Sequence, residues 1–409
     1  MTEFFTLLPP AEALQRLLER LPGTLPPESV PTAAALGRVL AAGIDSPADL
    51  PAFPRSSMDG YAVRARDTFG ATPSLPTYLK VAGEIRMGSV PAISLQPAHA
   101  TLIHTGGMLP ENADAVVKVE NTQPSRENEI EILKAAAVGE NVLKVGEDVT
   151  RGTEILPSGL RLRPQDLGAL MALGITHIEV ARRPSVALIA TGDEVMPPEA
   201  ATGPGQVRDI NSYTLSGLVA SVGGLPKRYG IVPDDLASLK NTAEKALREC
   251  DVLAISAGSS ASVRDITEQV LHSLGAPGVL LHGVAIKPGK PTILAVANGK
   301  PAFGLPGNPV SAMVIARILL LPTLHFLQGA LALDATKVSA HLTRNVASAA
   351  GREDHVPVRI LHRDGETLAE PVFGKSNLIF TLVRSDGSVT VPLNSNGLSQ
   401  GEIVDVRLY

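Results

Sequence analysis

The sequence predicts an α/β fold of several domains: a discontinuous, mainly helical domain with a β-rich insertion, a doubly wound α/β domain, and a C-terminal β-barrel-like module. Three observations carry this. At 409 residues the chain is too long for one hydrophobic core. From 181 to 330, apolar runs that do not alternate are separated by helical stretches, the pattern of a mostly parallel sheet covered on both faces. On either side the pattern shortens to β-rich runs between turns.

Residues 10–21 place Ala13, Leu14, Leu17 and Leu18 at helical spacing, and the Ala-rich stretch 31–42 predicts a second helix. Between 51 and 137, Tyr61–Val63, Tyr78–Val81, Thr101–His104, Ala115–Val119 and Ile130–Leu133 read as strands of an inserted β domain. Helical character returns at Pro164–Leu173, so 1–50 and 138–180 are expected to form one domain around the insertion. In 181–330, runs such as Val186–Ala190, Val252–Ile255 and Ala302–Leu305 are strands, and Asn211–Val222, Asp235–Arg248, Asp265–Leu274 and Pro309–Leu327 are helices. Residues 331–409 form a β module, with strands at Val356–Ile360, Val389–Val391 and Ile403–Leu408.

Composition narrows the function. With 44% hydrophobic and 19% charged residues the chain can bury substantial cores. The 36 basic and 41 acidic residues leave no broad cationic face for nucleic acid, so any anion site must be local. The single cysteine, Cys250, precedes an apolar strand and is expected to pack rather than react; it also rules out a disulfide framework. The nine histidines show no paired zinc-ligand spacing, and His282 reads as a satisfied residue in an apolar strand. No signal peptide or run of about 18 apolar residues is recognisable, which predicts a cytoplasmic chain without membrane contact.

In open α/β sheets, ligands sit at the C-terminal strand ends, where the loops Thr191–Glu194, Ser256–Asp265 and Gly304–Ser311 fall. Two segments there suit an anion. Lys287-Pro288-Gly289-Lys290-Pro291 supplies two ammonium groups. In Gly304-Leu305-Pro306-Gly307-Asn308-Pro309-Val310-Ser311, Asn308 is an expected N-cap and Pro309 the first helical residue, leaving amides around Gly307 and Ser311 for phosphate oxygens. Glu194, at a strand end, is a candidate Mg²⁺ ligand, although Gly-Asp-Glu is also an ordinary turn. In the insertion, Ser56-Ser57-Met58-Asp59-Gly60 and His104-Thr105-Gly106-Gly107 combine small or flexible residues with polar groups able to lie against a ligand.

Taken in order, the strings SSMDGYAVR (56–64), HTGGMLPENADAVVKVE (104–120), NVLKVGEDVTRGTEILPSGLRLRP (141–164), ATGDEV (190–195), GQVRDINSY (205–213), AIKPGKP (285–291), GLPGNPVSA (304–312) and FGKSNLIFTLVRSDG (373–387) resemble one family over nearly the whole chain. It is the molybdopterin molybdenumtransferase family, the MoeA type, also found as the E domain of gephyrin. The resemblance implies Mg²⁺-dependent insertion of molybdenum from molybdate, as substrate, into adenylylated molybdopterin, with release of AMP. It implies a homodimer with the site shared between subunits, and contacts with other molybdenum cofactor biosynthesis proteins. By position it implies catalytic roles for Asp59, Asp148, Glu194 and Asp265, with Glu194 and Asp265 holding the metal. Substrate contacts would come from Ser57, Thr105, Lys287, Lys290, Gly307, Asn308, Ser311 and Ser376.

Three positions depart from the family pattern. Ile255-Ser256-Ala257-Gly258-Ser259-Ser260-Ala261-Ser262 replaces a glycine-rich loop, Leu102 stands where an arginine is usual, and Pro357 occupies an arginine position for which Arg359 is the expected substitute. Two alternatives stay open on sequence alone: a paralogue using tungstate or a variant substrate, and a non-catalytic scaffold.

Overall fold

The computed structural model describes residues 7–257, 261–331 and 336–409, with the side chains of all but 261–264; most of the altered 255–262 loop therefore lies outside the described residues. The chain forms two compact units, Gly43–Pro157 with Gln165–Thr176, and Met1–Ala42 with Ser158–Pro164 and His177–Tyr409. The four-domain division (1–50 with 138–180, 51–137, 181–330, 331–409) is drawn differently, its first domain contributing residues to both units, and we retain it as a proposal.

The unit around 43–157 holds the insertion. Its six-stranded sheet runs in the order Thr122–Pro124, Glu129–Ile132, Thr77–Glu84, His99–Ile103, Gly60–Val63, Ala115–Lys118. Alternation places Ala62 and Ile103 in one apolar cluster and Val63, Leu79 and Ala100 in another. At its base Ile44–Asp45 pairs with Glu154–Leu156, and Arg55–Ser56 with Val142–Leu143, so the chain enters and leaves through paired strands.

In the other unit the helix expected over 31–42 does not form. Only Thr32–Ala34 makes a 3₁₀ turn, Gly37 takes a left-handed φ of 72°, and Val39 and Leu40 bridge Arg161 and Val180. Burial of Val39 and Leu40 in those pairings outweighs the helix preference of the alanines.

A six-stranded sheet in the order Leu225–Val232, Ser185–Thr191, Val252–Ala257, Lys300–Pro306, Ile293–Ala297, Pro277–His282 forms the centre of this unit. The first four strands are parallel, and Ile293–Ala297 runs antiparallel to both its neighbours, as expected where no helix intervenes between them. Both faces are buried. Val186, Leu188, Phe303 and Leu305 pack with helices Pro10–Leu18, Asn211–Ser221 and the 309–327 helical run, and Ala187, Ile189, Leu253 and Ile255 face Leu236–Glu249 and Ala261–Ser273. Cys250 is buried, and His282 Nδ1 lies 2.6 Å from Glu268 Oε2.

The 309–327 run is long and apolar enough to cross a bilayer, but 61% of its apolar window is buried in this core. It is not one regular helix: Ala316–Leu320 is a π turn between α segments Pro309–Ile315 and Leu321–Leu327. Pro322 accounts for it, since its ring cannot donate to the preceding turn and crowds the carbonyl there.

Strands Lys337–Leu342, Glu353–Arg363, Glu366–Pro371, Gly387–Val391 and Ile403–Leu408 close into a five-stranded barrel, because Glu353–Arg363 pairs with both Glu366–Pro371 and Gly387–Val391. Its interior holds Ala340, Val358, Ala369, Val389 and Val406.

The start of the parallel sheet is pinned by Asp251. It accepts from Arg182 Nη1 and Nη2 at 3.0 and 2.7 Å, and from the Ser185 amide and hydroxyl at 2.8 and 2.6 Å. Burial alone would raise its pKa, but the bonds from Arg182 and Ser185 together prevail and hold it below the ordinary carboxylate value. A depressed folded-state pKa contributes stability that is present above the unfolded value, about 3.9, and lost as pH falls through the folded one. Thermal melting from pH 6 to about 3 is therefore expected to fall more steeply for the wild type than for Asp251→Asn, which starts lower at pH 6; parallel curves would remove Asp251 as a determinant.

Candidate active site

The site grows from a junction between sheet and barrel. The short strand Ile286–Lys287 pairs in parallel with the start of Glu353–Arg363, setting Ile286 opposite Glu353 and Lys287 opposite Asp354. The following loop is held against the 309–315 helix. Gly289 has a φ of 116°, and a Cβ there would lie 2.5 Å from Ile315 Cγ1, so only glycine fits.

A cavity of about 820 Å³ opens at this junction, lined by the Lys287–Pro291 loop, Gly304–Asn308, Val310, Ser311 and the 372–377 segment. A second cavity of about 520 Å³, lined by Thr191, Glu194, Asp209, Asn211 and Ser256, shares Ala257, Gly307, Asn308 and Asn377 with the first. The two are lobes of one cleft at the C-terminal ends of the parallel strands, divided by the Gly307-Asn308 turn.

The cationic lobe carries Lys287, Lys290, Lys375 and Arg352. Asp354, only 3% exposed, is its counter-charge: Arg352 Nε donates to Asp354 Oδ1 at 2.8 Å and Lys287 Nζ to Oδ2 at 3.4 Å. Gly307, Asn308, Ser311 and Ser376 line the same lobe, and Ser311 is buried. Glu194 is in the other lobe, exposed at the end of Ser185–Thr191. Asp265 is exposed on helix Ala261–Ser273 and lines neither lobe.

Two expectations need correction. Asn308 makes no side-chain cap; its Nδ2 donates to Ser376 Oγ at 3.0 Å, while the Val310 amide donates to the Ser376 carbonyl at 3.1 Å. The 376 segment thus occupies part of the helix start, and positive charge for an anion comes mainly from side chains. Arg359 does not replace the missing arginine: its Nη2 is 2.6 Å from Glu370 Oε2, away from the lobe that Pro357 lines. Arg352, five residues before Pro357, lines that lobe instead.

Asn211, 7% exposed, had no assigned role. Its Nδ2 donates to Ser256 Oγ at 2.7 Å and to the Gly307 carbonyl at 2.8 Å, tying two strand ends together, while its Oδ1 is buried at the second lobe without a partner among the described residues. A buried orphan acceptor beside a cavity is a ready contact for a ligand N–H.

In the other unit the structure joins Asp59 to Thr105. Asp59 Oδ1 accepts from the Thr105 amide at 2.7 Å and its hydroxyl at 3.0 Å. The amide bond first, then the hydroxyl, outweigh desolvation and hold the Asp59 carboxyl below its ordinary pKa; nearby His104 adds to this. The Ser57 amide donates to the Asn141 carbonyl at 3.0 Å, and Asp148 is exposed.

Sheet, barrel and cleft define an α/β protein with a cationic cleft at the ends of its parallel strands. Family models match in sequence order: "MoeA N-terminal region (domain I and II)" over 8–174, "Probable molybdopterin binding domain" over 187–325, and "MoeA C-terminal region (domain IV)" over 339–409. The chain is 32% identical to molybdopterin molybdenumtransferase of Bacillus subtilis, over 91% of this chain and 88% of that one. It is 33% identical to molybdopterin molybdenumtransferase 2 of Mycobacterium tuberculosis, over 87% and 88%. A crystal structure of the molybdopterin biosynthesis MoeA protein from Pyrococcus horikoshii OT3 superposes with a TM-score of 0.86 at 33% identity, covering 99% of this chain and 100% of that one. The chain belongs to the MoeA family.

Proposed function

We propose that the chain inserts molybdenum from molybdate into adenylylated molybdopterin, releasing AMP. The observation that carries this is the convergence of the Lys287–Pro291 and Gly304–Ser311 loops on one cavity holding Lys287, Lys290, Lys375 and Arg352. The size of the cleft, two lobes of about 820 and 520 Å³, suits a large phosphoanhydride together with a small oxyanion.

In this reading Lys287, Lys290, Ser311 and Ser376 bind molybdate and phosphate oxygens, and Gly307 and Asn308 contact the substrate where the lobes meet. No protein nucleophile is required, because the dithiolene sulfurs of the substrate take up the metal. The lysines act electrostatically, their charge strengthened by the partly enclosed lobe.

Mg²⁺ prefers hard oxygen ligands, one or two carboxylates with substrate oxygens completing the shell, and Glu194 and Asp209 line the second lobe. We propose Glu194 as ligand and, on the family resemblance alone since it lines neither lobe, Asp265 as its partner; bound Mg²⁺ would polarise the anhydride. We further propose a cytoplasmic homodimer in which Ser57, Asp59, Thr105 and Asp148 of one subunit serve the cleft of the other.

The test is AMP release from adenylylated molybdopterin, with and without Mg²⁺, molybdate or tungstate. Release that needs Mg²⁺ and an oxyanion, and that falls about 10²-fold or more in Glu194→Gln, is the expected result. Full activity of Glu194→Gln or Asp265→Asn would sink the metal assignment, and no release under any condition would sink the reaction.

A further inference from the structure

A third cavity, of about 770 Å³, lies in the same unit and carries none of the residues assigned above. It gathers Arg161, Arg317, Lys337, Arg407 and the imidazoles of His325 and His355, and among the described residues no carboxylate side chain lines it. The cationic lobe of the active site has Asp354 as a counter-charge; here Glu353, 3.4 Å from His355 Nε2, and Asp405, 3.8 Å from Lys337, both lie outside the lining.

The guanidinium groups are incompletely bonded. Arg161 Nη1 donates to the Gly37 carbonyl at 2.8 Å, yet its Nη2 is buried without a partner among the described residues. Arg317 stacks 4.5 Å from the Tyr409 ring centre, and its Nε is likewise buried with no partner among the described residues. Burial, and then the charge of Arg161, push His325 below its ordinary pKa, so the cluster repels itself. Buried donors of one sign are costly unless an acceptor completes them.

The wall beside them is the π turn Ala316–Leu320 and the residues that follow, with Arg317, Ile318, Leu321 and Pro322 all facing the cavity. Such turns occur frequently at functional sites. Val314, Ile318 and Phe326 add an apolar surface, and the volume far exceeds that of one inorganic anion.

We propose that this cavity binds a phosphate-bearing organic anion, its phosphate held by Arg161 and Arg317 and its apolar body lying against Ile318 and Phe326. Guanidinium forks match phosphate oxygens, and Arg317 is already oriented by the Tyr409 ring. The site is independent of the proposed reaction, since none of its residues lines the two-lobed cleft except His355, which lines both.

Calorimetric titration of the full chain with phenyl phosphate and with inorganic phosphate tests this. Phenyl phosphate is expected to bind more tightly than inorganic phosphate. Arg317→Met is expected to weaken it by about tenfold or more, whereas Lys290→Ala removes at most the separate binding in the cationic lobe and leaves a saturable phase. Arg407→Gln, a change on an exposed strand residue, serves if Arg317→Met fails to fold, and is also expected to weaken binding. The proposal is overturned if the wild type shows no saturable binding below about 1 mM. It is equally overturned if Lys290→Ala abolishes binding while Arg317→Met and Arg407→Gln keep it, since the ligand then sits in the cleft.

Discussion

Replacing Lys287 and Lys290 together by alanine is expected to abolish molybdate-dependent AMP release, by about 10²-fold or more, with little change in the melting temperature. Both side chains are exposed into the cationic lobe. Lys287 leaves one partner behind, but Asp354 keeps its bond from Arg352 at 2.8 Å, so no buried charge is orphaned. The loss should therefore appear in oxyanion affinity and turnover rather than in folding. Calorimetric titration with molybdate separates the two: unchanged affinity in the double variant would place the oxyanion elsewhere, while a collapsed melting transition would make the lysines structural.

Phe303→Ala should be the most destabilising of the substitutions considered, by about 3–5 kcal/mol. Phe303 is fully buried in strand Lys300–Pro306, within the cluster that joins the sheet to helix Asn211–Ser221 and the 309–327 run. Neighbouring strands fix the backbone on both sides, so the void cannot close by collapse. Urea unfolding followed by circular dichroism measures the cost. A loss below about 1 kcal/mol would show that the surrounding aliphatic side chains repack. Because the strand runs directly into the Gly307-Asn308 turn, substrate affinity should fall with stability in this variant, unlike in the lysine pair.

Much of this fold is legible in the sequence because its strands are buried on both faces. Val252–Ile255 is apolar throughout and reads as a strand without help from partners. The lysine loop is legible for a related reason: Gly289 and its flanking prolines mark a shaped turn, and two lysines within it have no local use. What stays hidden is set by distant pairing. Arg352 and Asp354 enter the site only through the register that places Lys287 opposite Asp354 across a gap of 67 residues. Asn211 was visible within a family string, but its bonds to Ser256 and Gly307 depend on three strand ends meeting. Asn308 illustrates the opposite case, a sound local rule for a helix cap overridden by a tertiary partner, Ser376.

Asp354 has a further meaning for how an oxyanion would be handled. With a buried carboxylate already shared between Lys287 and Arg352, two of the four cations of the lobe are partly neutralised before any ligand arrives. An arriving dianion must win these cations from a resident competitor, and on leaving returns them to it. Loading is then an exchange between two anions rather than a capture, which lowers affinity but also lowers the barrier to release. A protein whose task is to hand an anion onward gains from such a reversible grip, whereas one built to store it would have left the carboxylate out.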